Sequence, residues 1–247
     1  MTDAARIAGA IAATWPPGEP RNMGPFLVPS ARAGGNRVCA ARLVDREDDG
    51  ASVTAVDVRA VAEAQTATGE APLFMVFDWQ APLDACLARE GYRVRDATDM
   101  LLVRVADIAA PPPPVSCFGI WPPLAVTEDV WAEGGIGPDR LAVMHAARGP
   151  KTSLLGRVDD RPAGAAFVAV DPPIAMLHAL EVTPQARRKG LGRLMVRAAA
   201  HWAQGQGARD LAVLVTQANA PAQALYASLG LRAVGHYRYR VKPKAEA

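Results

Sequence analysis

"LEVTPQARRKGLGRLMVRAAAHWA", residues 180–203, carries the reading on which the fold assignment turns. It runs from apolar strand residues through Pro184, across a basic stretch with two glycines, and into good helix formers. From Leu191 to Trp202 the apolar residues Leu191, Leu194, Met195, Ala198, Ala199 and Trp202 recur at intervals of three and four, which describes one face of a helix lying on a sheet. Arg193, Arg197 and Gln204 fall elsewhere on the wheel and read as solvated. A helix start offers free backbone N–H groups and the positive end of a dipole. Gly190 and Gly192 remove side chains that would keep a diphosphate from those donors, and Arg187, Arg188 and Lys189 add countercharge. The plain alternative is a solvated, basic first turn. Two other glycine motifs do not fit. A dinucleotide fingerprint needs a third glycine where Leu194 and Met195 stand, and a Walker A loop needs Gly-Lys-Ser/Thr where Arg193 and Leu194 follow.

Outward from this stretch the pattern is α/β with a mixed sheet. "AGAAFVAV" (163–170) and "IAMLHALEV" (174–182) are apolar runs joined by "DPP", a turn suited to an antiparallel connection. Downstream, "LAVLVTQ" (211–217) reads as a buried strand, and "APAQALYASLGLRAVGHYRYRV" (220–241) as helix, glycine cap and strand. "AAPPPPVS" (109–116) is a stiff extended spacer that neither helix nor sheet accommodates. It divides the chain into units 1–110 and 115–247 with 111–114 as linker.

The two units end alike. Placing Pro82 on Pro221 brings Gly91 onto Gly230 without a gap, and "PLFMVFDW" (72–79) then matches 211–217 as a short strand. Shared order and spacing over about fifty residues indicate a repeated unit. The copies differ where chemistry is expected. Leu87 stands where the second unit has Tyr226, and Gln80 where it has Asn219. The loop "DREDDGASV" (45–53) offers Asp45, Glu47, Asp48 and Asp49 in place of Arg187 to Lys189, a set that repels a diphosphate. The first unit therefore reads as a copy without a cofactor site, which walls an acceptor pocket or stands in for a partner subunit.

Bulk properties exclude more than they assign. Of the 247 residues 50% are apolar and 21% charged, as suits a globular chain with a real core, and the formal net charge of +2 gives no global pull toward nucleic acid or anionic lipid. The Arg-Lys cluster lacks the broad basic face or aromatic platform of a nucleic-acid binder. Cys39, Cys86 and Cys117 are scattered and odd in number, which indicates neither a disulfide framework nor a zinc site and makes a reducing, cytoplasmic setting the default. "IAGAIAA" (7–13) reads as an Ala-rich amphipathic helix rather than a signal peptide, and no run approaches the roughly 20 apolar residues of a membrane span.

The ordered set "LEVTPQARRKGLGRLMV" and "NAPAQALYASLGL" resembles the GNAT superfamily of acyl-CoA N-acyltransferases. That superfamily's pyrophosphate loop, Q/R-x-x-G-x-G/A, is met by Arg187-Arg188-Lys189-Gly190-Leu191-Gly192. Its L-x-V-x-P strand end is met by Leu180 to Pro184, and its N-x-x-A-x-x-L-Y-x-x-x-G-F helix by Asn219, Ala222, Leu225, Tyr226 and Gly230, with Leu231 in place of Phe. The resemblance covers Arg157 to the C-terminus. It implies a tandem GNAT-like architecture with a degenerate first unit, and acetyl-CoA or another short acyl-CoA as cofactor. It also implies a sheet with two adjacent strands splayed to admit the pantetheine arm. On this mapping, amides from Arg188 to Arg193 hold the diphosphate, Leu180 and Val182 pair with the pantetheine, and Asn219 caps the Tyr226 helix and meets the same arm.

Acyl transfer from a thioester to an amine needs a neutral amine, a donor for the oxyanion and a proton for the departing thiolate. Tyr226 occupies the family's general-acid position, where a phenol of pKa about 10 stays protonated at neutral pH. For the base, Glu181, His178 or solvent remain open, because strict strand alternation would put the two side chains on opposite faces and the family's bulge in this strand shifts that alternation. Ahead of the central strands, Glu128, Asp129 and Glu133 are candidates to attract an ammonium group, and Trp131 to supply an apolar or cation–π wall. The function implied is N-acetylation of a primary amine of a small molecule, amino acid or peptide by direct attack, in a monomer or homodimer. The alternative is a non-catalytic acyl-CoA sensor.

Overall fold

Apolar runs of the length read above can satisfy their backbone groups only by pairing with each other, and they do so across the whole chain. The computed structural model describes residues 2–30, 33–45 and 47–242. Met1 and residues 243–247, the outer ends of the two sequence-defined units, lie outside the described residues. Helix α1 (Asp3–Thr14) is followed by a small antiparallel sheet of β1 (Arg21–Met23), β2 (Phe26–Val28) and β3 (Arg42–Leu43), with the short α2 (Asn36–Cys39) before β3. Then come α3 (Ala55–Thr66), β4 (Leu73–Phe77), α4 (Ala81–Arg89), β5 (Arg93–Arg104) and α5 (Val105–Ile108). Beyond the prolines lie β6 (Cys117–Ile120), α6 (Ala125–Glu133), α7 (Pro138–Ala146), and the antiparallel strands β7 (Lys151–Val158), β8 (Arg161–Asp171) and β9 (Ile174–Val182). The chain closes with α8 (Leu191–Gly205), β10 (Asp210–Thr216), α9 (Ala220–Ala227) and β11 (Arg232–Val241).

The main sheet has eight strands in the order β4-β11-β5-β10-β9-β8-β7-β6. Strands from either side of the proline spacer alternate within it. Strand β5 of the first half lies between β10 and β11 of the second, and β11 lies between β5 and β4. Each half has thus given its last strand to the other.

The repeat is visible in atomic detail. Gly91 and Gly230 end α4 and α9 in the left-handed region at φ +85° and +82°. Tyr92 N–H then donates to Leu87 O at 3.0 Å, and Leu231 N–H to Tyr226 O at 3.1 Å. The exchanged strands are held in matching ways. Asp84 of α4 accepts from Arg238 (2.9 and 3.0 Å) and Arg240 (2.6 and 2.9 Å) of β11, while Gln223 of α9 donates to Asp99 of β5 at 2.9 Å. Asp84 and Gln223 are equivalent positions of the repeat, as are Asp99 and Arg238.

Helix α8 packs Leu191, Met195, Ala198 and Ala199 onto one face of the sheet, against Leu177, Leu211, Val213 and Val215. Helix α1 buries Ile7 and Ile11 on the opposite face, against Met176, Ala212, Tyr237 and Tyr239. Two arginines read as solvated have structural contacts instead. Arg197 donates to Ile108 O at 3.2 Å just ahead of the proline spacer, and Arg193 to Ser228 Oγ at 2.8 Å. A long cationic side chain on the polar flank of a helix reaches neighbouring carbonyls that the wheel does not display.

Burial works against the Asp84 carboxylate, but its bonds from Arg240 and Arg238 prevail and hold its pKa below the ordinary value. Asp84→Ala leaves two part-buried guanidinium groups without their acceptor, and urea denaturation at neutral pH is expected to show a loss of about 2–3 kcal/mol. A carboxylate with a lowered native pKa stabilises above its unfolded pKa, and that contribution fades as pH falls through the native one. The difference between wild type and Asp84→Ala should therefore shrink only in acid below the usual carboxylate range.

Candidate active site

Strand β9 changes face at one residue. Ala165 of β8 pairs with Glu181 and Phe167 with His178, so β9 has one residue more than its partner over this interval. Within it Ala179 adopts φ +51°, a left-handed conformation costly for a side chain with a Cβ. Trp131 of α6 pins the bulge, its Nε1–H donating to Ala179 O at 2.8 Å. Trp131 is fully buried, which corrects its reading as an acceptor wall. Its indole carries a donor that the bulged carbonyl needs, and the ring fills the core beneath it. Asp129 and Glu133 lie on the exposed side of α6 and Glu128 is half-buried.

The bulge decides the alternation. Leu177, Leu180 and Val182 pack on the α8 side. His178 lies against Trp15 and Phe167 on the other side, and Glu181 lies there too, against Gly134 at the end of α6. Both candidate bases therefore share one face.

Strands β9 and β10 run parallel and pair only from Asp210–Val213 against Ile174–Leu177. Beyond that point β9 stays with β8 as far as Val182, and β10 with β5 as far as Thr216. The two strands part, leaving a wedge whose facing edges lack a strand partner. Leu180 and Val182 lie along one wall of it.

The basic loop leads from β9 to α8. A single 3-10 turn (Pro184–Ala186) is followed by Arg188 at φ +65° and Gly190 at φ +83°. Gly190 is the N-cap of α8, and no side chain caps the helix. A Cβ at Gly190 would meet nothing within 4 Å, so what the glycine supplies is the left-handed turn and bare approach. At Gly192 an added Cβ would press within 3.1 Å of Leu225, the neighbour of Tyr226. The first half differs: α3 begins with a capping box in which Thr54 and Asp57 bond each other's backbone N–H. Its helix start is closed; that of α8 is open.

The cations near this opening are held at the surface. Arg187 donates to Val182 O at 3.1 Å and pairs with Glu181 at 3.2 Å, and Lys189 pairs with Asp159 at 3.0 Å. Arg188 is exposed and has no ion pair among the described residues. Exposed pairs of this kind contribute little and exchange readily for a phosphate.

Tyr226 of α9 is 5% exposed and packs in the α8 core, and burial pushes its phenol up to about 12. Asn219 accepts from Ala222 N–H at 3.2 Å as the N-cap of α9. His178 is buried, and both its nitrogens are engaged. Arg37 Nη1 lies 3.2 Å from Nδ1 and can only donate, so Nδ1 accepts and the proton sits on Nε2. Nε2 is 3.0 Å from Thr14 Oγ1, which donates in turn to Ala10 O at 2.7 Å. Burial and the neighbouring Arg37 charge hold the imidazole pKa well below its usual value, so the ring is neutral.

A cleft of about 260 Å³ opens on the His178 face, with Ala179, Leu214 and Thr216 on its floor and Trp15, Arg37, Tyr237 and Tyr239 around them. Trp15 and Arg37 come from the first half. No sequence motif marks them, because they reach the site through the packing of α1 and α2.

The sequence profile described as the Acetyltransferase (GNAT) family matches residues 114–231, which contain the wedge, the open helix start and Tyr226. The C-terminal half belongs to the GNAT superfamily. A GCN5-related N-acetyltransferase from Kribbella flavida superposes over 99% of this chain and 97% of its own, with a TM-score of 0.77 at 17% identity. A tandem GNAT protein from the clavulanic acid biosynthesis pathway matches 90% of this chain and 78% of its own, with a TM-score of 0.56 at 17% identity. The whole chain thus has a tandem GNAT-like fold. Among curated proteins, aminoglycoside N(6')-acetyltransferase type 1 of Klebsiella aerogenes is 34% identical over 70 residues, 28% of this chain. The match spans about half, 46%, of that relative. No helix among the described residues is long and apolar enough to cross a membrane.

Trp131→Phe keeps an aromatic ring under the bulge but removes the N–H donor and part of the buried ring volume. The Ala179 carbonyl then lacks its partner, and urea denaturation should register a loss of about 1–3 kcal/mol. No change in stability would mean that the indole does not hold the bulge.

Proposed function

We propose that residues 115–247 are the catalytic unit of an N-acetyltransferase. It moves an acetyl group from acetyl-CoA, or another short acyl group from its CoA ester, to a primary amine of a small molecule, amino acid or peptide. Residues 1–110 form a GNAT-like unit without a cofactor site, and 111–114 link the two. The observation that carries this reading is the uncapped start of α8 beside the parted strands β9 and β10, set against the side-chain-capped start of α3. The half match to an aminoglycoside acetyltransferase is consistent with an amine acceptor.

The residues present fit an acyl-CoA. Backbone N–H groups from Arg188 to Arg193 would hold the diphosphate, helped by Arg187 and Lys189, and the edge of β9 at Leu180 and Val182, which has no strand partner, would meet the pantetheine beside Asn219. When bound, acyl-CoA supplies an acyl group activated as a thioester. Tyr226, a phenol protonated at neutral pH and raised further to about 12 by burial, holds the proton that the leaving sulfur requires. Glu181, partly exposed on the same face of β9 as His178 and paired with Arg187, takes the proton from the incoming ammonium, whereas His178 has no free nitrogen and orients its surroundings. A sensor needs no proton donor at the sulfur, so Tyr226 favours the enzyme over a binding module.

Free-thiol release from acetyl-CoA with an amine panel tests the reading; acetyl-CoA binding without turnover on any amine would favour the sensor. Tyr226→Phe is expected to lower kcat by roughly 10²–10⁴-fold with the acetyl-CoA KM nearly unchanged. Because burial raises the phenol to about 12, the rate should show no alkaline loss from Tyr226 in the mildly basic range. Glu181→Gln should reduce kcat/KM at neutral pH by roughly tenfold or more, whereas deprotonation by solvent alone would leave it unmoved.

A further inference from the structure

The cleft holds a cation that these steps leave unused. Arg37 is partly buried, its guanidinium 5.8 Å from the centre of the Trp15 ring and 3.2 Å from His178 Nδ1, with Tyr237 and Tyr239 alongside. Burial opposes its charge, contact with the two tyrosines favours it, and the guanidinium stays protonated. Its Nε is buried with no hydrogen-bond partner among the described residues. A charge withdrawn from water is normally matched by a counter-ion. Here its surroundings are an indole, two phenols and an imidazole held neutral, and no described carboxylate pairs with it.

The other charged groups at the cleft are Arg140 and Asp96. Arg140 is exposed and lies beside Gly35, while Asp96 accepts from Asn36 at 2.8 Å and sits 3.6 Å from Arg95. Neither neutralises Arg37. The cleft also includes Ala179, the bulged residue next to His178, so a molecule that covers the guanidinium reaches toward the parted strands.

We propose that Arg37 is a specificity-determining residue and that the acceptor is an amino carboxylate, whose carboxylate settles against Arg37 while its amine points to the Ala179 bulge. This rests on the acyl-transfer reading above. The volume of about 260 Å³ is below the roughly 300–1,000 Å³ of drug-sized sites and suits a molecule the size of an amino acid. A guanidinium presents a planar fork that matches a carboxylate. It repels a polyamine, so the acceptor is of a different class from an aminoglycoside.

The test uses the full chain. The twenty amino acids, their carboxamides and decarboxylated amines, aminomethylphosphonate, kanamycin and spermidine are compared by thiol release from acetyl-CoA, and by calorimetry on the CoA-saturated protein. At least one amino acid is expected to exceed its carboxamide in kcat/KM by roughly 10- to 100-fold. Arg37→Gln should remove most of that ratio through the KM of the amino acid, with acetyl-CoA affinity unmoved, and Arg37→Lys should recover part of it. A purely structural role would lower both members of each pair together and weaken acetyl-CoA binding as well. Carboxamides, kanamycin or spermidine used as well as any amino acid, a preference for the phosphonate, or a ratio that survives Arg37→Gln would overturn the proposal. If nothing is turned over, calorimetry decides. Amino-acid binding that Arg37→Gln abolishes keeps the carboxylate site at Arg37 but overturns the catalytic reading and, with it, the acceptor role. Acetyl-CoA binding with no amino-acid binding removes this proposal and keeps the acyl-CoA site.

Discussion

A strand inside a sheet points its backbone N–H and C=O groups to both edges and needs a partner on each, and in this protein strand β5 meets that need for both β10 and β11. The rest of the architecture follows from that arrangement. With β5 beside it, β10 no longer depends on β9 along its full length, and with β8 beside it, β9 no longer depends on β10. The two can separate beyond Val213 and Leu177 without either losing its place. A strand borrowed from the first half thus supports the opening in the second.

The exchange also explains why two units joined by four prolines form one continuous sheet. Each half donates its last strand, and the helix preceding each half's last strand grips the strand received, through Asp84 of α4 on one side and Gln223 of α9 on the other. The first half therefore contributes more than a spare copy of the fold. Its helix α1 covers the face of the sheet on which the bulge opens, and Trp15 and Arg37 close one side of the cleft.

The chemistry divides between the two faces of β9. On the α8 side are the open helix start and the buried Tyr226. On the other side, the bulge at Ala179 puts His178 and Glu181 on the same face, His178 at the cleft and Glu181 against Gly134. One left-handed residue, held by one indole N–H, sets this change of face.

Much of this was legible in the residues themselves. The strands around 163–170, 174–182 and 211–217, the helix from Leu191, the Asn219 cap and the Pro82–Pro221 repeat are local patterns, set by apolar periodicity, glycine and capping chemistry over a few neighbours. The substitution of Leu87 for Tyr226 at equivalent positions of the two copies was legible too. The exchange of strands was not, because β4 and β5 carry the same pattern whichever neighbour they pair with. Nor was the placement of Arg37, Trp15 and Trp131, nor the common face of His178 and Glu181. Those depend on contacts between residues far apart in the chain and on a bulge whose extra residue has no mark in composition. Periodicity determines which residues face a core, and only tertiary packing determines which core, and across from whom.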